Sequence, residues 1–354
     1  MSDELLRLRQ RIDALDEEIL QRLAERAGCA HRIGEVKQGN LYRPEREAQV
    51  LRRLAAANPG PLDDNAVKRI FREIMSACLA LEEPLAVGYL GPAGTFSESA
   101  ARRAFGSAPK FMPLASVDEV FRQVDAGVLD YGVVPVENST EGAVGGTLDC
   151  LLNSDVHICG EISLRIHQNL LSRASGMGAA RRLYSHAQSL AQCHDWLNAN
   201  LPDLPRVPVV SNAEAARLAA EDPEACAIAS EAAAELYGLN ILAANIEDDP
   251  RNTTRFITIA RHDAGPSGHD RTSLVCSTPH RAGAVHSLLE AFARHGVSMT
   301  KLQSRPAVGR RWEYVFFIDI DGHRQDAAEA SALTELRERA AFVKILGSYP
   351  VAPI

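Results

Sequence analysis

The chain has 354 residues, of which 46% are hydrophobic, 24% charged and 5% aromatic, with a formal net charge of −8. That length holds two or three domains. The acidic balance argues against a nucleic-acid partner, which needs a basic face, and no apolar run reaches the roughly 18 residues of a membrane span. The seven cysteines are scattered and form no C-x-x-C pair, which argues against a zinc or disulfide framework; the start lacks signal-peptide order, so a reducing cytoplasm is expected.

Residues 3–83 read as helix only. The first helix carries the ladder Leu5, Leu8, Ile12, Leu15, Ile19, Leu23 at the spacing of one helix face, and is expected to end near Gly39-Asn40. A second is expected over about 44–57, before Asn58-Pro59-Gly60-Pro61, and a third over about 63–83, stopped by Pro84. Three helices, the first about 50 Å long, make a poor monomer and bury their stripes better against a second copy.

Continued along the first helix, the ladder meets Arg26, Ala30, Ile33 and Lys37, so a face meant for a core carries two cations. Unpaired charge is rarely buried. The second helix has Arg43, Glu47, Val50 and Leu54 in its stripe with Arg46 beside it; the third has Phe71, Met75, Cys78 and Glu82. Internal pairing, such as Arg26 with Glu47, is one outcome. The basic residues Arg9, Arg26, Lys37 and Arg46 outnumber Glu47 and Glu82, a surplus that suits a small dicarboxylate held by charge-assisted hydrogen bonds.

The rhythm changes at Leu85. Strand patterns at 85–90, 131–136, 182–185, 206–210, 225–229 and 255–260 alternate with helices, one of them at 96–105, which is α/β order. Gly91-Pro92-Ala93-Gly94-Thr95-Phe96-Ser97 puts two glycines between a strand and a helix start, where backbone N–H groups can bind anions, without the lysine of a P-loop. Glu137, Asn138 and Ser139 directly follow a buried strand, where α/β ligand sites lie; a plain polar turn has the same composition. Asn252-Thr253-Thr254-Arg255-Phe256 opens another strand. Residues 263–270 read as a linker. From Arg271 the order is strand 272–278, helix 282–294, strands 297–306 and 311–320, helix 326–340 and strand 342–349, the ferredoxin-like βαββαβ plan.

Leu8-Arg9, Ile12, Leu15-Asp16, the stretches 23–26 and 33–37, and Arg43-Pro44-Glu45-Arg46-Glu47 resemble the all-helical chorismate mutase class. The resemblance implies an intertwined all-α dimer in which Arg9 comes from the second copy. Arg26, Lys37 and Arg46 would hold the carboxylates and ether oxygen, and Glu47 the substrate hydroxyl. The reaction is pericyclic and needs a held conformer and stabilised charge on the ether oxygen, not a nucleophile or a metal. Cys78 and Glu82 stand where one common family pattern has Ser and Gln. Glu82 would donate to an ether oxygen only when protonated, so mutase activity is expected to fall as pH rises.

The three clusters of residues 85–262 resemble prephenate dehydratase. That implies two α/β lobes of the periplasmic-binding-protein type with the substrate between them. Thr254 would be the essential threonine, hydrogen-bonding the departing hydroxyl. Thr95, Ser97, Glu137, Asn138, Ser139, Arg255 and Phe256 would bind substrate, with a structural salt bridge the alternative for Arg255, joined by Ser185 and Gln188 from a motif in which Ala187 replaces a proline and His186 is a structural polar residue. Residues 281–285, 302–306 and 312–317 resemble the regulatory ACT domain. Paired copies would bind phenylalanine through Gly283, Ala284, Ser298, Ser304, Arg305 and Pro306, with Gly283 permitting close backbone approach; Gln303 and Ser298 stand where Glu and Asn are common.

Together the resemblances imply a multidomain chain: helical mutase at 1–84, two-lobed α/β dehydratase at 85–262, linker at 263–270 and α+β ACT domain at 271–354. The expected function is conversion of chorismate to prephenate and then phenylpyruvate, feedback-controlled by phenylalanine. A cytoplasmic homodimer or higher homo-oligomer is expected, without cofactor, metal, nucleic acid or membrane. Arogenate as second substrate, or a non-enzymatic amino-acid sensor, are the alternatives.

Overall fold

The computed structural model describes residues 3–36, 42–81, 84–278, 281–306 and 314–352. The chain divides into two compact units, residues 1–85 with 105–110, and residues 86–104 with 111–354.

The first unit is built on α1 (Asp3–Val36), α2 (Pro44–Ala56) and α3 (Asp64–Leu79). Pro44 opens α2, where its missing N–H costs nothing, and Asp63 caps α3 by accepting from the Ala66 N–H. The third helix ends at Leu79, short of the expected 83. The apolar ladder of α1 is present but uncovered within this unit: Leu8, Ile12 and Ile19 are 57%, 55% and 56% exposed, and the helix buries no residue.

The second unit begins with β1 (Ala86–Leu90), α4 (Phe96–Phe105), β2 (Lys110–Leu114), α5 (Val117–Asp125), β3 (Tyr131–Asn138), β4 (Gly142–Ala143), α6 (Gly145–Asn153) and β5 (His157–Arg165). It crosses to a second lobe of β6 (Asn169–Ser172), β7 (Arg182–His186), α7 (Ala187–Gln192), α8 (His194–Asn200), β8 (Arg206–Val209), α9 (Asn212–Glu221), β9 (Ala225–Ala229), α10 (Glu231–Tyr237) and β10 (Asn240–Ala243), and returns in β11 (Thr253–Ala260). The first sheet runs β2-β1-β3-β11-β5 with β4 on β3, and the second β10-β6-β9-β7-β8. Because β11 comes back from the second lobe, it enters the first sheet antiparallel to both β3 and β5. At the crossing the Ile166 N–H donates to Asn252 O at 2.8 Å, tying the two passages together.

The C-terminal part, β12 (Asp270–Ser277), α11 (Ala284–Arg294), β13 (Met299–Pro306), β14 (Tyr314–Asp321), α12 (Ala327–Arg339) and β15 (Phe342–Pro350), has the expected βαββαβ order, with its sheet arranged β13-β14-β12-β15. Its sheet shares one core with the first lobe: Leu148, Leu151, Ile158 and Ile257 pack in the same cluster as Val275, Phe317, Leu346 and Tyr349. The approach is close enough that a Cβ at Gly347 would lie 2.0 Å from the Ile158 carbonyl oxygen. The expected linker is packed rather than loose. Ala264, Ser267 and Asp270 are buried, and the Asp270 carboxylate accepts from the Ser267 hydroxyl and N–H and from the Gly268 N–H.

The sequence reading missed β2, β5, β6 and β10. The reason is plainest in β5, where Gly160 and Glu161 interrupt the apolar pattern. Glu161 is only 3% exposed because Arg255 and Arg271 neutralise it from elsewhere in the chain.

Candidate functional site

In the helical unit Arg26 Nη1 donates to Cys78 Sγ at 2.8 Å. Sulfur is a weak acceptor, and no carboxylate among the described residues pairs with Arg26. Glu47 does not take Arg26. It accepts from Arg72 Nε at 3.1 Å, with the two side chains 14% and 17% exposed. Burial pushes the Glu47 carboxyl above its ordinary value, against the lowering pull of the Arg72 guanidinium and a hydrogen bond from Tyr42. Arg9 and Arg46 are exposed on α1 and α2. Lys37 and Glu82 lie outside the described residues. Arg72 was missed; its only signal was its place next to Phe71 on the α3 stripe, at i−3 from Met75.

In the second unit, register sorts the expected residues by face. On β3 and β11, Thr254 pairs with Asn138 and Arg255 with Glu137. Successive side chains on a strand alternate sides, so Asn138 and Thr254 share one face and Glu137 and Arg255 the other.

On the first face Asn138 Nδ2 donates to Thr254 Oγ1 at 2.9 Å and to Asn252 Oδ1 at 3.0 Å, and Asn138 Oδ1 is held by the Thr140 N–H and hydroxyl. Thr254 is 9% exposed, and its own O–H has no acceptor among the described residues. From Asn252 a chain of neutral groups crosses to the second lobe: Asn252 Nδ2 to Gln192 Oε1 at 3.0 Å, Gln168 Nε2 to Gln192 Oε1 and Ser189 Oγ, and Asn212 Nδ2 to Ser189 Oγ at 2.7 Å. The Asn212 Oδ1 acceptor then takes the Ser185 hydroxyl at 3.3 Å and the His186 N–H at 3.1 Å. This chain joins the Thr254 cluster to the Ser185 motif without an ionisable group. Gln188 is in the first turn of α7, its N–H donating to Nδ1 of His186, the N-cap residue. Gln168, Ser189, Gln192 and Asn212 were missed because isolated amides and hydroxyls carry no local pattern: Ser189 and Asn212 read as helix-start residues, Gln168 as part of the link before β6 and Gln192 as the end of α7.

The glycine turn is fixed from both lobes. Thr95 Oγ1 accepts from the Glu98 N–H and donates to Leu90 O, while Glu98 reaches back to the Gly94 N–H at 2.7 Å. Ser230 of the second lobe donates to Gly94 O at 2.9 Å, and Gly94 has φ +83°. Ser97 is buried on α4, and Ser139 Oγ accepts from the Thr253 N–H at 3.0 Å.

The opposite face holds charges. Arg255 donates through Nε to Glu161 at 2.8 Å, through Nη1 to Asp319 at 2.6 Å and through Nη2 to the Tyr349 hydroxyl at 2.8 Å, while Arg271 pairs with Glu161. Two arginines and two carboxylates thus close a neutral set. The expectation that Arg255 grips a substrate carboxylate meets a guanidinium whose three nitrogens are all engaged, and turned away from Thr254. Phe256, at 2% exposed, likewise has almost no surface to offer a substrate.

In the C-terminal domain Gly283 caps α11 with φ +74°, yet an added Cβ would meet nothing within 4 Å. Its requirement is the left-handed backbone rather than close approach. Ala284 is buried behind it, Ser298, Ser304 and Pro306 are exposed on or beside the edge strand β13, and Arg305 donates to Gly145 O at 2.7 Å. Trp312 lies outside the described residues. Among the described residues no three His, Cys, Asp or Glu cluster as metal ligands, and no helix is long and apolar enough to cross a membrane.

A helical unit with arginine on its apolar face, two α/β lobes bridged by neutral hydrogen-bonding groups and a βαββαβ domain define a class: multidomain enzymes acting on small carboxylates, with a ligand-sensing fold attached. The chain matches the family models for Chorismate mutase type II over residues 8–83, Prephenate dehydratase over 87–264 and the ACT domain over 272–338. It is 55% identical over 356 residues to the bifunctional chorismate mutase/prephenate dehydratase of Neisseria gonorrhoeae, covering 99% of this chain and 98% of that one. The structure of prephenate dehydratase in complex with L-Phe from Arthrobacter aurescens superposes with a TM-score of 0.70 at 35% identity, covering 75% of this chain and 90% of that one. A structure described as GqqA, a novel type of quorum quenching acylase, gives a TM-score of 0.70 at 31% identity over 76% of this chain and 98% of that one. The chain belongs to the bifunctional chorismate mutase/prephenate dehydratase family, and it carries both activities together with an ACT domain.

Proposed function

We propose that Thr254 delivers the hydrogen bond that lets the ring hydroxyl of prephenate leave, and that the observation carrying this is the direction of the Asn138 bond. Because Asn138 donates into Thr254 Oγ1, the threonine's own O–H is directed outward as a donor. The ring carboxylate departs as CO₂, its electron pair completes the aromatic ring, and the C–O bond breaks toward an oxygen that is already hydrogen-bonded and leaves as hydroxide, which takes its proton from solvent. A threonine is far too weak an acid to protonate it outright, so positioning does the work. Thr95, Ser97, Ser139 and Gln188 bind the rest of the substrate, with Ser185 acting through Asn212, and the glycine turn, whose Gly91 and Gly94 N–H groups are already taken by Leu114 O and Glu98, fixes the place of Thr95.

In the mutase site Arg26, Lys37 and Arg46 take the chorismate carboxylates and ether oxygen, Glu47 takes the hydroxyl, and Cys78 and Glu82 complete the set. Arg9 reaches the site from a second copy, a reading supported by the uncovered apolar face of α1. Phenylalanine is the effector, by analogy with the Arthrobacter aurescens protein, with Gly283, Ala284, Ser298, Ser304, Arg305 and Pro306 as its surroundings at the edge of β13. The cytoplasm is the site of action.

An acylase would need a nucleophile beside a base. The hydroxyls of Thr254, Ser139, Ser185 and Ser189 meet only amide and backbone groups among the described residues.

Supplying chorismate to the Arg26→Ala and Thr254→Ala variants tests the assignment. Arg26→Ala should fail to make prephenate yet still convert added prephenate. Thr254→Ala should accumulate prephenate, its second step slowed about 10²- to 10³-fold. Loss of both steps in either variant rejects two separable sites, and parallel assays with arogenate identify the second substrate.

A further inference from the structure

The sidedness of β3 and β11 leaves Glu137 pointing away from Thr254, toward the C-terminal domain. There Lys301 Nζ, on β13 and 16% exposed, lies 2.8 Å from Glu137 Oε2. Two further cations of that domain land on the segment that follows. Arg305, four residues along β13 and therefore on the same face, donates to Gly145 O at 2.7 Å and pairs with Asp149 at 3.0 Å at the start of α6. Lys344, on β15, donates to the carbonyls of Leu151 at 2.9 Å and Leu152 at 3.1 Å, and to Ser154 O, at the end of the same helix. Three cations from the ACT domain thus hold residues 137–154, and the first of these residues is the neighbour of Asn138, which orients Thr254.

We propose that Lys301 is a positioning residue of the dehydratase site, supplied by the regulatory domain. Fixing Glu137 fixes the backbone at Asn138, and with it the direction of the Thr254 O–H. If Lys301 is removed, the nearest remaining cation is Arg255, 3.9 Å from Glu137. Arg255 is held by Asp319, so Glu137 moves across the strand instead of staying in place. Three of the residues proposed to surround phenylalanine, Ser304, Arg305 and Pro306, sit on the same strand, so an effector that shifts β13 acts on this pair directly. The inference rests on the reading of Thr254 as the donor.

The test uses the full-length chain with Lys301→Ala, Lys301→Arg and Glu137→Gln, measuring dehydratase kcat and KM with and without phenylalanine and the mutase rate in the same samples. Lys301→Ala should lower dehydratase kcat about tenfold to a hundredfold, as small misplacements do, with KM shifted less than about twofold. The mutase rate should be unchanged, Lys301→Arg should recover most of kcat, and inhibition by phenylalanine should be blunted. Wild-type kcat in Lys301→Ala, or a loss that Lys301→Arg fails to restore, overturns the proposal. If Lys301→Ala does not fold, Glu137→Gln keeps the shape and must show the same kcat loss; wild-type kcat there overturns it equally. Adding Lys301→Ala to Thr254→Ala should cost nothing more, because both act through one hydroxyl. An active Thr254→Ala would sink the donor reading by itself, leaving the Lys301 comparison to be judged on its own kcat.

Discussion

Glu47 shows how one side chain ties the helical unit to pH. Burial raises its carboxyl from the ordinary value near 4.5, partly offset by Arg72 and Tyr42. An acid with a raised folded-state pKa holds its proton more tightly when folded. Its contribution to stability is therefore fully present below about 4.5 and is lost as pH rises through the raised value. Thermal melts across that window should fall with pH more steeply in the wild type than in Glu47→Gln, and parallel curves would rule the burial effect out. Arg26 stands out in the sequence because it breaks a helical apolar ladder, a purely local anomaly. Arg72 does not, because a cation beside a stripe looks like a solvated edge until Glu47 is known to face it.

Among the elements, β15 and β5 decide how the C-terminal domain meets the first lobe. Gly347 is the contact point, with the Ile158 backbone where a side chain would go. Backbone cannot step aside as a flexible side chain can, so Gly347→Ala should destabilise the second unit by about 3 kcal/mol. A denaturant midpoint unchanged from wild type would show that the strands slide apart freely. The pattern predicted β12 to β15 well, since the apolar runs of β12, β14 and β15 are buried on both faces, under α11 and α12 on one and against the first lobe on the other. It missed β5 because that strand buries a carboxylate whose two arginine partners come from other strands, and no local pattern encodes them.

For the whole molecule, the exposed stripe of α1 is the largest unfinished surface among the described residues. A helix of 34 residues that buries none of them gains little from its own unit, and most helix stability comes from packing an amphipathic face. Putting lysine at both Ile12 and Ile19 should convert the proposed oligomer to monomer in light scattering and abolish mutase activity, while added prephenate is still consumed. An unchanged mass would show that this face does not join copies. The ACT domain, in contrast, shares its core with the dehydratase lobe, so it is a wall of that lobe and not a tethered sensor.

Sequence alone determined the three rhythms, their order along the chain, the cationic helical face and the Thr254 signature, because periodicity and short motifs are local and survive without knowledge of partners. Only the tertiary structure decided which neighbours act together. Strand register put Asn138 with Thr254 and turned Glu137 and Arg255 to the other side. Contacts as distant as the 164 residues between Glu137 and Lys301 then gave those charges their partners. A charge's role follows from what neutralises it, and that is set by where the folded chain brings its partner.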